Sequence, residues 1–205
     1  MLLRYFLISN ARVVRDHVER IPTRSFVSRA DLPEACHAID CELARMASRN
    51  ELVRVYKGLY WKGPQTRAGM PAPAPMDVGL RVAGSGSGPA GFSAAASLGL
   101  TTQVPSVDVV AVAGRAPRPP KGVAFVSRSA DRGFRSLQSL EVAVLELMRD
   151  GTRFIEVDWE RAAAVVEQLA ESGAIRPQQI GEQIHSEHHV AARGRWRLLA
   201  ERIGS

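Results

Sequence analysis

The sequence contains little cysteine and no long apolar run. Its two cysteines, Cys36 and Cys41, are too few for a disulfide framework, and five residues apart on one helix they would not face each other. We therefore expect a reducing compartment such as the cytoplasm. The apolar N-terminal segment MLLRYFLISN is short and interrupted by Arg4. We interpret it as an extension packed on the first helix, or as the product of a misplaced start codon, and not as a signal peptide or a membrane span.

Lysine is also scarce. Only three of the 27 basic residues are lysine, and a GC-rich genome would produce such an arginine bias without any functional cause. The rest of the composition is ordinary, with 45% apolar and 23% charged residues among 205. This composition predicts a normal globular core and excludes wholesale disorder and a fibrous repeat.

The charge is divided unevenly along the chain. Residues 1–69 hold 12 basic and 7 acidic side chains, residues 70–135 hold 7 and 3, and residues 136–205 hold 8 and 11. The overall net charge of +6 therefore combines a basic front with an acidic last third. A basic segment favours a phosphate backbone, whereas an acidic segment favours a positively charged protein surface.

Three short helices and a hairpin are predicted near the N-terminus. Apolar residues recur at i, i+4 and i+7 in residues 10–21 and again in 37–48, and Ser28 is a suitable N-cap for a short helix between them. A β-rich run follows at 52–61 around a lysine-glycine turn, which predicts a two-stranded hairpin. This order of elements is typical of a winged helix-turn-helix module.

In such a module, which we place at residues 1–69, the third helix enters the major groove of DNA and the hairpin wing lies on the backbone. Arginine reaches guanine edges or phosphates, and short neighbouring side chains let the helix approach closely. The predicted DNA-facing residues of the third helix and the wing are His37, Asp40, Ala44, Arg45, Arg49, Arg54 and Lys57. The alternatives are a small helical domain with a solvated basic face and a module that binds protein. We favour DNA binding.

A proline-rich stretch, 63–75, predicts an extended connector to a second domain at 70–205. Within that domain, residues 76–135 alternate short helical and β-rich segments and predict a mixed α/β layer. Residues 136–205 carry apolar stripes at helical spacing and predict an all-helical part. The last two helices are expected at 177–192 and 195–203. The predicted fold class is α+β.

Glycines at positions 86, 88 and 91 satisfy the dinucleotide-binding pattern Gly-x-Gly-x-x-Gly, after a segment, 78–82, that alternates enough for a strand. However, Asp108 lies at the start of a predicted strand, whereas the acidic residue of a Rossmann fold lies at the end of one. Pro89 also interrupts the glycines. Only one βαβ-like unit is available. We therefore interpret these glycines as a flexible turn before a helix.

The sequence shows no catalytic or metal-binding set. His185, His188 and His189 have helical spacing, but zinc needs four ligands and neither an HExxH nor a CxxC motif completes them. We interpret them as part of a solvated helical face. A Gly-x-Ser-x-Gly nucleophile turn and a Walker lysine are also absent. We expect a protein that is not an enzyme and that needs no cofactor or metal.

Five segments together resemble the AbiEi family of antitoxins. They are SRADL (28–32), LARM (43–46), RVYKGLY (54–60), LEVAVLE (140–146) and, the most specific, GFSAAASLGLTTQVP (91–105). The resemblance spans nearly the full chain and is closest to the actinobacterial branch. Two departures from the family pattern are Asn50, where a glycine often ends the helix, and the N-terminal extension. Asparagine also suits the left-handed position that ends a helix, so neither departure alters the interpretation.

The resemblance implies an antitoxin encoded beside a nucleotidyltransferase toxin. In such pairs the N-terminal winged helix represses the operon by binding inverted repeats in its promoter, and the C-terminal part neutralises the toxin. Transferred to this sequence, the DNA-binding residues are Ser28, Arg29, His37, Asp40, Arg45, Arg49, Arg54 and Lys57. The family implies no catalytic residue, and the expected partners are double-stranded DNA and the toxin, without a membrane.

Two other interpretations stay open. One is a stand-alone winged-helix transcriptional regulator whose C-terminal part binds a small ligand in the glycine-rich layer, and the more distant one is a dinucleotide-dependent enzyme. For the antitoxin, we hypothesise that the acidic tail contacts a basic toxin directly. Neutralisation without contact is the alternative.

Overall fold

The computed structural model describes residues 2–32 and 37–204, and for residues 2–10 and His37 the backbone alone. Cys36 and the side chain of His37, which carry sequence predictions, lie outside the described residues. The chain divides into two compact units, Met1–Ala74 and Pro75–Ser205, at a point inside the proline-rich stretch. The α+β fold class is confirmed. None of the described helices has the length and apolar character needed to cross a membrane.

In its described part, the first unit consists of two α-helices, a 3-10 turn and a three-stranded antiparallel sheet. The regular elements are α1 (Leu2–Arg20), β1 (Ser25–Ser28), α2 (His37–Ser48), β2 (Val53–Tyr56) and β3 (Leu59–Lys62). The strands lie in the order β1-β3-β2, so the predicted hairpin is present and β1 extends it on the β3 side. Helix, strand, helix and hairpin follow one another as in a winged helix-turn-helix module, with β2 and β3 as the wing.

The predicted second helix is a single 3-10 turn, Arg29–Asp31, as far as the chain is described. Ser28 caps it as predicted, because the Asp31 carboxylate accepts hydrogen bonds of 2.7 Å from both the backbone N–H and the hydroxyl of Ser28. The segment before the cap forms β1, a strand that the sequence analysis does not predict. Val27 is fully buried there and pairs with Tyr60 of β3, so an extended backbone buries it better than a loop would.

The two helices of the first unit pack through the apolar stripes that the sequence predicts. The buried cluster that they share contains Val14, Val18, Ile39, Leu43 and Met46. Because these residues occupy one face of each helix, the opposite face of α2 is left for solvent or a partner.

A lysine of the wing holds the end of α1. The Lys62 ammonium donates hydrogen bonds to the carbonyl oxygens of Val18 (2.6 Å) and Ile21 (2.7 Å), which have no partner within the helix. A cation at a helix C-terminus is also favoured by the helix dipole. At the end of α2, Asn50 adopts the left-handed conformation that the sequence predicts, with φ of 59°.

The expectation of an extended connector is wrong for its first part. The indole N–H of Trp61 donates a hydrogen bond of 3.1 Å to the carbonyl oxygen of Pro71, and a tight turn closes between Thr66 and Gly69. A buried indole N–H needs an acceptor, and the chain that follows the wing supplies it. Residues 63–71 therefore fold back onto the first unit.

The second unit contains a small three-stranded sheet, and its helices precede, interrupt and follow the strands in the sequence. Its elements are α3 (Pro75–Ala83), β4 (Gly88–Pro89), α4 (Phe92–Ser97), β5 (Asp108–Ala113), β6 (Val123–Arg128), α5 (Asp131–Phe134), α6 (Ser139–Asp150), α7 (Trp159–Glu171), α8 (Pro177–Ser186) and α9 (Val190–Ile203). The strand order is β4-β5-β6, with β5 and β6 parallel and β4 antiparallel to β5.

Helix α6 is the centre of the second unit. Every residue from Glu141 to Met148 is buried, because β4, α4, α8 and α9 all pack against this helix. The sequence predicts only one apolar stripe here, whereas the structure surrounds the helix on all sides. The mixed layer and the helical part consequently share one hydrophobic core.

The last two helices have other bounds than predicted. Helix α8 ends at Ser186, and α9 begins at Val190 because the ring Nδ1 of His189 accepts a hydrogen bond of 3.1 Å from the backbone N–H of Ala192 and caps it. The predicted single face of histidines is therefore wrong, since His185 lies on α8 and His188 in the connection. In the described part of the chain, no three His, Cys, Asp or Glu side chains are grouped so as to hold a metal ion.

The glycine-rich segment serves close packing. Residues 78–82 belong to helix α3, so the strand that a dinucleotide motif requires before its glycines is missing. A Cβ on Gly86 would lie 2.3 Å from the backbone of Arg132, and a Cβ on Gly88 would lie 2.5 Å from the Cβ of Val142. The glycines thus let the chain run directly against α5 and α6, and the expectation of a flexible turn is wrong.

Two glycines of this segment form a matched pair for a test. Gly84 and Gly86 both have positive φ, of 81° and 72°, but a Cβ on Gly84 would meet nothing within 4 Å. Gly84→Ala should cost about 1 kcal/mol of unfolding free energy through backbone strain alone. Gly86→Ala should cost about 1–3 kcal/mol more, because its Cβ overlaps a backbone that cannot move aside. Urea denaturation followed by Trp159 and Trp196 fluorescence measures both costs, and equal costs would contradict the packing role.

Candidate functional site

The outward face of α2 is polar and basic. Ala44, Arg45, Ser48 and Arg49 are exposed, on the side opposite to the stripe that packs on α1. Ala44 is short, so a partner surface can come close to the helix backbone beside Arg45. This arrangement has the residue types that a major-groove helix uses.

A buried carboxylate that the sequence does not single out lies beneath this face. Glu42 is almost fully buried, and its Oε1 accepts a hydrogen bond of 2.8 Å from Arg15 of α1. Its Oε2 accepts a longer one, 3.4 Å, from Arg45. The hydrogen bond and charge of Glu42 raise the pKa of the Arg15 guanidinium. Glu42 therefore ties α1 to α2 and anchors one edge of Arg45, whose side chain is still 66% exposed.

Two of the predicted DNA-binding residues are paired with each other. The Arg29 guanidinium lies 3.1 Å from an oxygen of Asp40, which joins the 3-10 turn to the first turn of α2. Asp40 thus neutralises a cation and holds its side chain in place, and its contact with DNA stays a prediction. Ser28 has the capping role described above, and the side chain of His37 lies outside the description.

The wing presents two further cations. Arg54 is exposed on β2 opposite Tyr60, and Lys57 is exposed in the turn that Gly58 closes with φ of 70°. Strand β2 packs against α2. The side chains of Arg49, Arg54 and Lys57 make no hydrogen bond or ion pair within the part of the chain that is described. Their charges are therefore available for a partner.

The segment that carries the most specific part of the resemblance has a structural role. Glu156 accepts hydrogen bonds from the backbone N–H (2.6 Å) and hydroxyl (2.9 Å) of Thr102 and from the amide of Gln103 (3.1 Å). These bonds, led by the backbone N–H of Thr102, lower the pKa of Glu156 to about 2. Leu98 and Leu100 of the same segment lie in the core. The segment thus fastens the loop after α4 to the loop before α7.

A buried ion network occupies the second unit, and the sequence analysis missed it. Arg132 of α5 has no exposed surface and donates to both oxygens of Glu187, at 2.6 and 2.9 Å, and to Glu146 at 2.7 Å. Arg128 at the end of β6 makes a second pair with Glu146, the shortest distance being 2.6 Å. Arg149 of α6 reaches Glu187 at 2.8 Å.

Burial and pairing compete at the carboxylates of this network. Burial opposes ionisation of Glu146, but the hydrogen bonds from Arg128 and the charge of Arg132 outweigh it, so the pKa of Glu146 is lowered. Burial likewise opposes ionisation of Glu187, and hydrogen bonds from Arg132 and Gln183 lower its pKa. Both groups are therefore ionised at neutral pH inside the protein.

The network accounts for much of the acidic excess in the last third of the chain. Glu146 and Glu187 belong to the acidic last third, whereas Arg128 and Arg132 belong to the basic middle segment. Glu141, also buried, is paired with Arg176 at 2.7 Å. The acidic excess of residues 136–205 is consequently not a surface property, and charge alone no longer argues for a basic toxin. The toxin contact itself stays a prediction.

One signal in the sequence could have indicated the network. Glu141 and Glu146 stand inside an otherwise apolar helical run, and buried carboxylates need partners. The identity of the partners was not accessible, because Arg132 and Glu187 are 55 residues apart in the chain.

No protein-family model and no curated protein matches the sequence. Among solved structures, the chain is similar to the crystal structure of the RV2827C protein from Mycobacterium tuberculosis, with 16% sequence identity and a TM-score of 0.49. The match covers 95% of this chain and 76% of that one.

Loss of the central arginine should destabilise the second unit strongly. Arg132→Leu leaves two buried carboxylates with one guanidinium each, and breaking such a network costs about 3–5 kcal/mol. The exposed Arg161 is the matched control, and Arg161→Leu should change the unfolding free energy by less than about 0.5 kcal/mol. Urea denaturation followed by Trp159 and Trp196 measures both.

The unfolding free energy of the second unit should decrease as the pH falls into the acidic range. Because the folded-state pKa of Glu146 and of Glu187 is lowered, their stabilisation is complete above the ordinary value of 4.5 and is lost as pH falls below it. Arg132→Leu should make the unfolding free energy depend less steeply on pH in this acidic range. The network does not hold the unit together if Arg132→Leu lowers the unfolding free energy by less than about 1 kcal/mol, or if the dependence of that free energy on acidic pH stays unchanged.

Proposed function

We propose that this chain is a bacterial cytoplasmic antitoxin that represses its own operon. Its first unit binds inverted repeats in the promoter through α2 and the wing. Its second unit neutralises a nucleotidyltransferase toxin from the neighbouring gene. It acts by binding, without catalysis and without a cofactor. The exposed basic face of the first unit is the observation that carries this proposal.

The distribution of pairs supports DNA binding by the first unit. Its 12 basic side chains exceed its 7 acidic ones, and three of the acids are already engaged: Glu42 is buried, Asp40 is paired and Asp31 caps the 3-10 turn. Of the exposed cations of this unit, Arg49, Arg54 and Lys57 lie on α2 and the wing and have no partner among the described residues, while Arg20 and Arg24 are exposed elsewhere. Such a surface gains affinity for DNA by releasing condensed counterions from the phosphates.

The second unit offers a groove for a protein partner. Between α8 and α9 lies an open groove of about 1200 Å³, lined by residues that include Val190, Gly194 and Trp196. Val190 is 84% exposed at the edge of this groove. A Cβ on Gly194 would meet nothing within 4 Å, so a partner can approach the helix backbone there.

Two arginines of this groove have unsatisfied donors. The Nε atoms of Arg135 and Arg193 are buried and have no hydrogen-bond partner among the described residues. Buried donors are nearly always paired in folded proteins, and a small shift of these two side chains would bring the donors to acceptor oxygens of a bound segment. We therefore propose the α8–α9 groove as the toxin-binding surface, with apolar contact at Val190 and carboxylate or carbonyl acceptors at the arginines.

The second candidate function is a stand-alone winged-helix transcriptional regulator that binds a small ligand. A polar cleft of about 330 Å³ at the end of β6 favours it. The neighbouring gene separates the two candidates. A product with the Gly-Ser-x-Asp signature of a nucleotidyltransferase supports the antitoxin, and its absence supports the regulator.

Arg45→Ala should weaken binding to the chain's own promoter. If Arg45 contacts a base, the loss should be about 1–3 kcal/mol of binding free energy, with a relaxed sequence preference. If it contacts a phosphate, the slope of log affinity against log salt concentration should fall in magnitude by about one. Folding should be preserved, because Glu42 keeps its bond to Arg15. Fluorescence anisotropy of a labelled promoter duplex at several salt concentrations measures these changes.

The control for this experiment is Arg12→Ala, which removes the same charge from a highly exposed position of α1. It should leave promoter affinity nearly unchanged. If Arg12→Ala weakens binding as much as Arg45→Ala does, the affinity follows net charge and not the α2 face.

Val190→Glu should weaken the complex with the toxin about 30-fold, since a buried apolar anchor of an interface is worth about 2 kcal/mol. Leu198→Glu is the matched control, because Leu198 lies on the same helix, is 57% exposed and does not line the groove. Surface plasmon resonance with the purified toxin measures both. Equal effects of the two substitutions, or loss only with Leu198→Glu, would place the contact elsewhere.

A further inference from the structure

A polar cleft adjoins the buried ion network where the parallel strands of the second unit end. It is formed by the end of β6, the last turn of α6 and the connection between α8 and α9. Two arginines, two histidines, three serines and Glu187 line it, around a volume of about 330 Å³. In open sheets with parallel strands, ligands bind beyond the carboxyl ends of the strands. Arg128 is the last residue of β6 and stands at that place.

The charged groups that line the cleft itself are the guanidinium groups of Arg128 and Arg149 and the carboxylate of Glu187. Around it, Arg128, Arg132 and Arg149 share the two carboxylates of Glu146 and Glu187, and the carboxylate of Asp150 interacts electrostatically with Arg128 and Arg149. Arg132 has no exposed surface and is turned wholly toward the carboxylates. Arg149 uses one nitrogen, Nη1, for Glu187, and its side chain keeps 24% exposure at the cleft. Its remaining N–H groups are therefore free for an anion.

The single acidic group among the residues that line the cleft is already saturated. Glu187 Oε1 accepts from Arg132 and Gln183, and its Oε2 accepts from Arg132 and Arg149. A carboxylate with four donors does not compete for the free N–H groups of Arg149. An arriving anion would thus meet donors and not a bare negative charge.

His189 adds a donor whose tautomer is determined by its capping role. Because its Nδ1 accepts the backbone N–H of Ala192, the proton of the neutral ring lies on Nε2. His189 also precedes the first turn of the 14-residue helix α9, whose N-terminal end is electropositive. The hydroxyl groups of Ser127 and Ser129 are further donors of the lining, whereas the hydroxyl of Ser186 already donates to the carbonyl oxygen of Gln183.

We propose that this cleft binds a phosphate oxyanion, either free phosphate or the phosphate group of a small ester. Arg149 and His189 are its direct donors, and Arg128 lines the cleft beside them. A phosphate group accepts several charge-assisted hydrogen bonds at once, which matches this lining. The site belongs to the second unit alone, so it is independent of the proposed contact between α2 and DNA.

The test is a titration of the ¹⁵N-labelled full chain with sodium phosphate, with ionic strength held constant by sodium chloride. Backbone amide resonances of residues 127–129 and 186–190 should shift and saturate. Arg149→Gln and His189→Asn should each raise the dissociation constant about tenfold, the effect of losing one charge-assisted hydrogen bond. Arg161→Gln, which removes the same charge from an exposed site away from the cleft, should leave it unchanged.

His189→Asn keeps the test decisive if Arg149→Gln fails to fold. Asparagine is a good N-cap and retains the acceptor for Ala192, so the variant should fold and lose only the Nε2 donor. The proposal is overturned if these amides show no saturable shift, or if His189→Asn binds phosphate as tightly as the unaltered chain does.

A second titration identifies the source of the phosphate. Adenosine 5′-monophosphate that binds more tightly than inorganic phosphate would support a phosphate ester, and equal affinity would support free phosphate. Adenosine without a phosphate group should cause no shift at these amides. If adenosine produces the same saturable shift as its monophosphate, the cleft recognises a base or a sugar and the proposal fails.

Discussion

The buried guanidinium of Arg132 constrains the assembly of the second unit. It has no contact with water and is shared between Glu146 of α6 and Glu187, which follows α8. A buried ion without partners costs several kcal/mol, so α5, α6 and α8 have to meet at this point for the unit to fold. Gly86 belongs to the same constraint, because only a residue without a side chain lets the chain pass against the backbone of Arg132.

This constraint also decides how charge is used in the two units. In the second unit, 15 basic and 14 acidic side chains nearly balance, and several of them are consumed by pairs in the interior. In the first unit, Arg49, Arg54 and Lys57 have no such partner among the described residues, and Arg45 is paired with Glu42 yet stays largely exposed. The proposed division of roles therefore depends on pairing and not on the net charge of each segment. In that proposal, DNA would meet the exposed cations, whereas a protein partner would meet a groove with an apolar rim.

The sequence predicted those parts of the fold that depend on neighbouring residues. The stripes of α1 and α2, the cap at Ser28, the left-handed Asn50 and the hairpin around Gly58 each follow from a few residues close together in the chain. The prediction failed where the determining partner is distant. Strand β1 forms only by pairing with the distant strand β3, for example Ser28 with Leu59. The Lys62 cap of α1 likewise joins residues 44 positions apart.

The candidate site shows the same division. The sequence identified Arg45, Arg49, Arg54 and Lys57 as exposed basic residues, and the structure places all of them at the surface. It did not reveal that Asp40 is tied to Arg29 or that Glu42 anchors Arg45, because side-chain pairing depends on how the helices and the 3-10 turn meet.

The central claim is that DNA binding and toxin neutralisation belong to different units of this chain. It is tested most directly by expressing the toxin together with the double variant Arg45→Ala, Arg49→Ala, in cells that carry a reporter on the native promoter. The account predicts that growth is rescued as well as by the unaltered chain while the reporter is derepressed. Loss of rescue by a double variant that accumulates normally would contradict it.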